Sequence, residues 1–571
     1  MGVGAMNVEG RIAASVGELD AVAPMFQAAL DVPHGGVLFS LPALLATGLL
    51  DGAERFFQLP KGYYGLDSLL LLLALMTLAR LKSMEQLRYH PPGEWGKLLG
   101  LDRVPEVRTL RNKIRVLTDT GKSEQWSAAL SQRWMQAAPE SAGTLYIDGH
   151  VRVYNGEQTQ LPRHYVARQK LCLRATTDYW VHAMDGQPFF VVNQAVDPGL
   201  IKVIEHDIVP RLDNEVPNQP LPAALQADEL LHRFTLVFDR EGYSPEFLLR
   251  MKRQRIACLT YHKFPGDNWS GEEFAVHTVK LPTGQVVEMA LAERGTRLSN
   301  NLWVREIRKL SDRGHQTAVL STDYRSDLVP LAVAMFARWS QENFFKYARE
   351  HFSLDRLVDY RTEAISETIQ LVNPAYRKLD GQVRSAVGKL NRLLAQFGAM
   401  NIEAEMESAS VESFVQKKAT LLERIETLHT EVNKLKENRK ATAHHIAVKD
   451  LSEEERFRQL STHSKHFIDT IKIIAYRAET AMANALRETI SHPEEARSLL
   501  RAMYSCEADL LPDYQQKTLT VRLHHMAQQS ADAAMLRLCD ELNATETLFP
   551  RTDLRMIFKL GSEQNSRGQE V

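Results

Sequence analysis

The 571-residue chain reads as an α/β (α+β) protein: a mixed-sheet core carrying a β-rich insertion, flanked by N-terminal and C-terminal all-helical regions. Three observations carry that reading. Two apolar runs, Leu145–Ile147 and Phe234–Phe238, each stop at an aspartate close to a glycine, as buried strands that end in turns do. A strand-rich stretch occupies about residues 262–322. The flanks, about 61–140 and 361–560, instead place apolar residues at steps of three and four.

Taken in order, residues 1–60 hold short apolar segments broken by Pro24, Pro33, Pro42 and Pro60, and no role follows from them. Leu69, Leu72, Leu73, Met76, Leu78 and Leu81 predict one core helix, with Ser68 or Asp67 as its cap. Met84–Tyr89 and Val107–Leu117 predict two more, separated by the loop HPPGEW; no turn glycine sits at the offset of a helix-turn-helix. Over about 141–360 the first strand ends at Asp148, and Leu171–Thr176 and Phe189–Asn193 are its expected antiparallel partners, turning at Asp185–Gln187. Ile201–Leu212 and Ser244–Gln254 predict helices, and Ile256–Tyr261 the strand after Asp239. The insertion follows as an expected β subdomain: Glu273–Lys280, Val286–Ala292, Trp303–Lys309 and Thr317–Ser321, with a turn at Pro282–Gly284. Phe336, Trp339, Phe344, Phe345 and Tyr347 then predict one amphipathic helix from about Leu328 to Glu350.

Beyond residue 360, Phe414, Leu421, Ile425, Leu428, Val432 and Leu435 keep heptad spacing over 411–439. Either a two-stranded coiled coil or an intramolecular hairpin with Tyr376–Phe397 accounts for it, and the hairpin is the preferred expectation. Amphipathic helices are expected from Asp450 to about Leu542, and residues 561–571 form a polar tail expected to be disordered.

Composition bounds the setting. Cys172, Cys258, Cys506 and Cys539 lie far apart without a CxxC pair, which argues against a zinc site or disulfide scaffold and fits a reducing cytoplasm. The apolar run Leu69–Met76 is too short to cross a bilayer, and the N-terminus has no signal-peptide pattern, so the expected location is cytoplasmic. With 69 Lys and Arg against 71 Asp and Glu, the formal charge is −2, so any contact with nucleic acid must come from local patches. One patch is Arg103, Arg108, Arg111, Lys113 and Arg115; another is Arg294, Arg297, Arg305, Arg308, Lys309 and Arg313. A solvated face explains either as well as a DNA surface does.

Three carboxylates stand in chemically suggestive places: Asp148 in TLYIDGH, Asp239 in TLVFDREGYS and Glu342 in RWSQENFFKY. Taken singly, each has a bland reading, as a turn residue, a cap or a solvated helix position. Together they suit phosphodiester chemistry, in which two hard divalent cations roughly 4 Å apart are held by oxygen ligands.

These stretches, with LLGLDRVPEVRTLRNKI, YIDGHVRVYNG and LCLRATTDYWVHAMDGQPFFVV, resemble bacterial insertion-sequence transposases of the DDE type over about residues 60–350. The resemblance implies an RNase H-like catalytic core with Asp148, Asp239 and Glu342 as catalytic metal ligands, and Mg2+ as cofactor with Mn2+ as the alternative ion. It also implies a helical DNA-binding domain over 61–140 and double-stranded DNA, at the transposon ends and the target, as partner. In the Y-x2-R-x3-E-x6-K signature of such transposases, Arg338 and Glu342 match, Arg349 replaces the Lys and Met335 the Tyr; Tyr347 and Tyr324 are candidates for the missing tyrosine.

The insertion resembles that of the hairpin-forming branch, where an aromatic residue holds a flipped base; Trp269 and Trp303 are the candidates here. Arg338, Arg349, Lys346, Arg108, Arg111 and Arg115 complete the implied DNA contacts. A homodimer in the DNA complex would pair two ends, and the protein would sit on the nucleoid when bound. Two other readings stand beside this one: an RNase H-like nuclease without strand joining, and a DNA-binding protein that has lost catalysis.

Overall fold

The computed structural model describes residues 7–156, 161, 163–166, 169, 171–281, 285–336, 339–356, 361–363, 367, 370–400, 408–452, 459–526 and 528–561. The expected turn at Pro282–Gly284 and all but the first residue of the expected polar tail lie outside them. The chain divides into two compact units, Met1–Arg361 with Leu460–Val571, and Thr362–Gln459.

In the first unit, helix α1 (Leu66–Leu78) is apolar on every side and buried over eleven successive residues from Ser68 to Leu78. A helix without a polar face can exist only inside a core. Neither expected cap is made: Gly65 holds the N-cap position, and Ser68 lies within the helix. Helix α2 (Val107–Thr118) is amphipathic, burying Val107, Leu110, Ile114 and Leu117 while Arg108, Arg111 and Arg115 share the exposed side.

Ten strands form one mixed sheet: β1 (Thr144–Val153), β2 (Arg163–Val166), β3 (Leu171–His182), β4 (Pro188–Gln194), β5 (Thr235–Phe238), β6 (Ala257–Tyr261), β7 (Ala275–Lys280), β8 (Val286–Arg297), β9 (Trp303–Leu310) and β10 (Gln316–Ser321). Their order is β2-β3-β1-β5-β6-β10-β9-β8-β7, with β4 pairing β3. The first strand therefore has β3 alone as its antiparallel neighbour, and the second expected partner, Pro188–Gln194, pairs one strand further out. The insertion is not a separate β subdomain. Antiparallel pairing of Val319 with Tyr261 and Ser321 with Leu259 joins its four strands to the central sheet.

One face of the sheet packs Phe238, Cys258 and Leu320 into the main core, with helix α3 (Pro245–Arg253) supplying Phe247, Leu248 and Met251. The other face gathers Tyr146, Val237, Leu259 and Val319 under Ala334 and Met335. Those two residues belong to α4 (Leu328–Phe336), which is followed by α5 (Trp339–Phe352). The helix expected from about Leu328 to Glu350 is helical over both stretches, and residues 337 and 338 between them lie outside the described residues.

The region after Asp450, read as helical, contains strands as well. Ala508–Asp513 and Thr518–Leu523 form an antiparallel pair and build a four-stranded sheet with Ala29–Val32 and Arg555–Leu560. The long helix His463–Arg487 is buried along most of its length, including Lys465, His466, Asp469 and Glu479. Each finds a partner: Lys465 pairs with Asp469, His466 meets Asn193 Oδ1 at 2.9 Å, and Arg80 reaches Glu479 at 2.9 Å. No helix among the described residues is long and apolar enough to cross a membrane.

The second unit is built on two long helices, Pro374–Ala399 and Ser408–Ala441, packed against each other. Ala386, Leu390, Ile425 and Val432 are buried at the seam, flanked by Leu393, Phe397, Leu421, Leu428 and Leu435. The heptad pattern therefore closes as an intramolecular hairpin.

Candidate active site

Asp148 and Asp239 owe their placement to strand register. β1 and β5 run parallel, matching Tyr146 with Val237 and Ile147 with Phe238, where β5 ends. One step further on, the two aspartates stand on neighbouring strands, which lie about 5 Å apart in a sheet. Both are half-buried. Asp239 caps a 3-10 turn, its Oδ1 accepting the Arg240 amide at 2.6 Å, while Thr260 Oγ1 donates to its carbonyl at 3.2 Å. Asp148 Oδ1 accepts the Gly149 amide at 2.9 Å. Asp148 does not end its strand as expected: β1 runs on to Val153 against β3, and what ends beside Asp148 is the pairing with β5.

Alternation along β1 puts Tyr146, Asp148, His150 and Arg152 on one face. This is the face that α4 and α5 cover. Tyr146 Oη donates to the Ala334 carbonyl at 2.5 Å. The His150 ring stacks on Phe345 at 5.3 Å, and Trp180, opposite Asp148 on β3, meets Phe344 at 5.2 Å. His182 lies 4.8 Å from Phe344, and full burial lowers its imidazole to about 3, so it packs there as a neutral ring. Glu342 lies on α5 one residue before Asn343 and less than a turn from Phe345, so its helix is clamped over the Asp148 face. The Glu342 side chain and all of Arg338 lie outside the described residues.

Two further acids share this neighbourhood and were not singled out from the sequence. Asp197 follows β4 and accepts from Tyr179 Oη at 2.6 Å, Thr177 Oγ1 at 3.1 Å and the Gly199 amide at 2.8 Å. Glu241 reaches solvent, yet its carboxyl is raised by partial burial, then by Asp239 and Asp197. The Tyr179 hydroxyl is pushed up by burial and by Asp197, with Glu241 and Asp148 adding to it. Asp239 and Asp197 thus act on Glu241, and Asp197, Glu241 and Asp148 on the Tyr179 hydroxyl, a concentration of negative charge that favours a bound cation. The available signal was modest: Glu241 stands two residues after Asp239 in DREG, and Asp197 opens a tight turn in VDPG.

The donor set suits a hard divalent ion, since Asp148 and Asp239 offer oxygen atoms only and retain access to solvent. The one group of three ligand-bearing side chains drawn close together among the described residues lies elsewhere: Asp31, Asp509 and His524 on the small sheet. There Arg522 pairs with Asp509 at 2.9 Å, which already supplies the counter-charge.

The remaining predicted contacts separate. Lys346 is exposed on α5, whereas Arg349 is half-buried with its Nε donating to the Phe345 carbonyl at 3.2 Å. Tyr347 is turned into the core, donating to Glu479, and Tyr324 donates to the Trp303 carbonyl at 2.7 Å. Both hydroxyls are therefore committed within the protein. Trp303 lies beyond the Arg305–Ser321 pair, at the end of the sheet opposite Asp239, packed on Gly295 and Tyr324. Trp269 is at the carboxylate end, bonded through its amide to Gln316, with the guanidiniums of Arg294 and Arg308 over its ring at 4.5 and 4.3 Å. Much of the second basic patch is likewise engaged, as Arg305 pairs with Glu293 and Arg308 with Glu306. In the first patch Arg111 pairs with Glu85, while Arg108 and Arg115 are exposed.

No curated protein matches the sequence. Among solved structures, the cryo-EM structure of a piggyBac transposase synaptic complex with hairpin DNA is similar at 8% identity and a TM-score of 0.26, covering 81% of this chain and 77% of that one. Agreement at that level bears on neither fold nor chemistry. A family model described as "Transposase protein" matches residues 2–562, nearly the full 571. On that match, the chain belongs to this transposase family.

Proposed function

We propose that this transposase is of the DDE type and carries out metal-dependent DNA cleavage and strand transfer for an insertion sequence. One observation carries the reading: Asp148 and Asp239 occupy matched positions on paired parallel strands, beneath the helix that bears Glu342. Asp148 and Asp239 would hold the divalent ions, and Glu342 would complete the ligand set. Magnesium, when bound, supplies Lewis-acid polarisation of a phosphate oxygen and lowers the pKa of an attacking water.

The protein's own contribution is placement. The Gly149 and Arg240 amides orient the two aspartates, and Thr260 fixes the Asp239 backbone. Phe344 and Phe345 hold α5 against Trp180 and His150. Asp197, gripped by three donors, and Glu241 add negative charge beside the site without changing its ligand type. Lys346 would meet DNA phosphates near the scissile bond.

The test is cleavage of a transposon end in magnesium by wild-type and Asp239→Asn protein. The variant is expected to lose cleavage and the joined product together. Wild-type rates in the variant would overturn the assignment, and cleavage without any joined product would reassign the protein as a nuclease.

A further inference from the structure

The second unit carries a surface that the cleavage chemistry does not use. On the first hairpin helix, Pro374–Ala399, the buried residues are Val383, Ala386 and Leu390. At 3.6 residues per turn, Arg377, Lys378, Arg384, Lys389 and Arg392 fall within an arc of about 140° on the side away from Leu390. All five are exposed. The helix has one acid, Asp380, at the margin of that arc, where it accepts from Arg384 and from Arg439 at 2.7 Å. The second helix, Ser408–Ala441, differs, for it scatters glutamates among its cations. The single-sign face is therefore particular to the first helix.

Two glycines stand in the middle of the same arc. Gly381 and Gly388 are exposed, and a Cβ at either would meet nothing within 4 Å. A glycine inside a helix weakens it relative to alanine, and no packing among the described residues requires one at either position. Such residues on a convex cationic face let another molecule approach the helix backbone closely. Arg377 to Arg392 spans about 22 Å along the axis, the length of about six phosphates on one strand of a duplex.

We infer that the outward face of helix Pro374–Ala399 is a docking surface for the phosphodiester backbone of double-stranded DNA, with the five cations contacting phosphates and the glycines permitting close approach. The inference rests on membership of a transposase family and on this face alone. It needs none of the carboxylates.

The test is binding of the full-length protein to a fluorescent duplex across a series of salt concentrations. With Arg377, Lys378, Arg384, Lys389 and Arg392 all changed to Gln, the slope of log affinity against log salt is expected to fall by about 4, and affinity at moderate salt by about 30-fold or more. Gly381→Leu with Gly388→Leu keeps every charge; it should weaken binding about tenfold while helix content by circular dichroism is kept or rises. An unchanged slope and affinity in the five-fold variant overturns the inference. So does a changed oligomeric state without DNA at an unchanged slope, which would assign the face to a second copy of the chain. Retained cleavage by Asp239→Asn protein would overturn the catalytic assignment and leave this surface standing.

Discussion

The two units of this protein treat charge in opposite ways. The first buries it in pairs: Arg152 with Asp178, Lys465 with Asp469, and Arg80 with Glu479, which also accepts from Tyr347. Among its described residues the second buries apolar side chains and turns most of its cations outward. Burying an ion pair costs desolvation that its attraction only partly returns, so such pairs serve position more than stability. Around them, Asn193 donates to Asp178 and meets His466, and Tyr347 donates to Glu479, which ties β3, β4 and α5 to the helix His463–Arg487 on the face of the sheet that carries Asp148. In the hairpin, Asp380 pairs with Arg384 and, across the two helices, with Arg439, while Arg377, Lys378, Lys389 and Arg392 face solvent.

This contrast can be broken most severely at the carboxylates. Asp148→Asn and Asp239→Asn are each expected to slow end cleavage in magnesium by about three orders of magnitude, some 4 kcal/mol of barrier. A gel assay on a labelled end reads this directly. Folding should survive in both, since neither side chain is deeply buried.

The buried pairs come next. Asp178→Leu leaves Arg152 charged and unpartnered in the interior, and should destabilise the first unit by about 3–5 kcal/mol. Changing Arg152 to Met in the same chain should recover much of that loss. All seven tryptophans precede residue 361, so fluorescence-monitored denaturation reports the first unit alone. A loss that the double variant fails to recover would show that the pair's worth lies in its attraction.

A smaller effect is expected at the hairpin seam. Leu390→Ala should cost the second unit about 2–3 kcal/mol through the cavity it leaves. Proteolysis should then nick the hairpin sooner, while the tryptophan signal stays unchanged. If both move together, the two units unfold as one.

The smallest effect concerns Lys472, which lines a cavity of about 400 Å³ and donates to the Ser353 carbonyl at 3.2 Å. Burial, then Lys465, lower its amine from 10.5 to about 7. Between those values the unfolded chain binds a proton that the folded chain does not, so stability rises with pH across that window. Below it, the cost of charging the amine is fully present. Lys472→Met should therefore stabilise the protein more at about pH 6 than at about pH 9.5, by about 1 kcal/mol because the side chain keeps some access to solvent.

How much of this was legible varies by element, for reasons that can be named. The strands before Asp148 and Asp239, the strands of the insertion and the hairpin seam were readable, because each rests on a local period of apolar residues. Strand pairing was not. Nothing near Gln316–Ser321 tells that it bonds to Ala257–Tyr261 and so draws the insertion into the central sheet. The alternation of Leu519, Val521 and Leu523 was a signal for a strand, missed among helical neighbours. Lys465, Asp469 and Glu479 look like a solvated helix face in one dimension, and only packing shows them paired inside.

By itself, then, the sequence determined the strands that lead to Asp148 and Asp239, the strands of the insertion, and the apolar seam of the heptad stretch. Those properties follow from side-chain periodicity and chemistry within a few residues. Tertiary structure alone decided that the two aspartates share a register, that Asp197 and Glu241 join their field, that α5 lies over the same face, and that Tyr347 and Trp303 are held away from the site. These depend on hydrogen bonds and contacts between residues tens to hundreds apart, which no local pattern encodes.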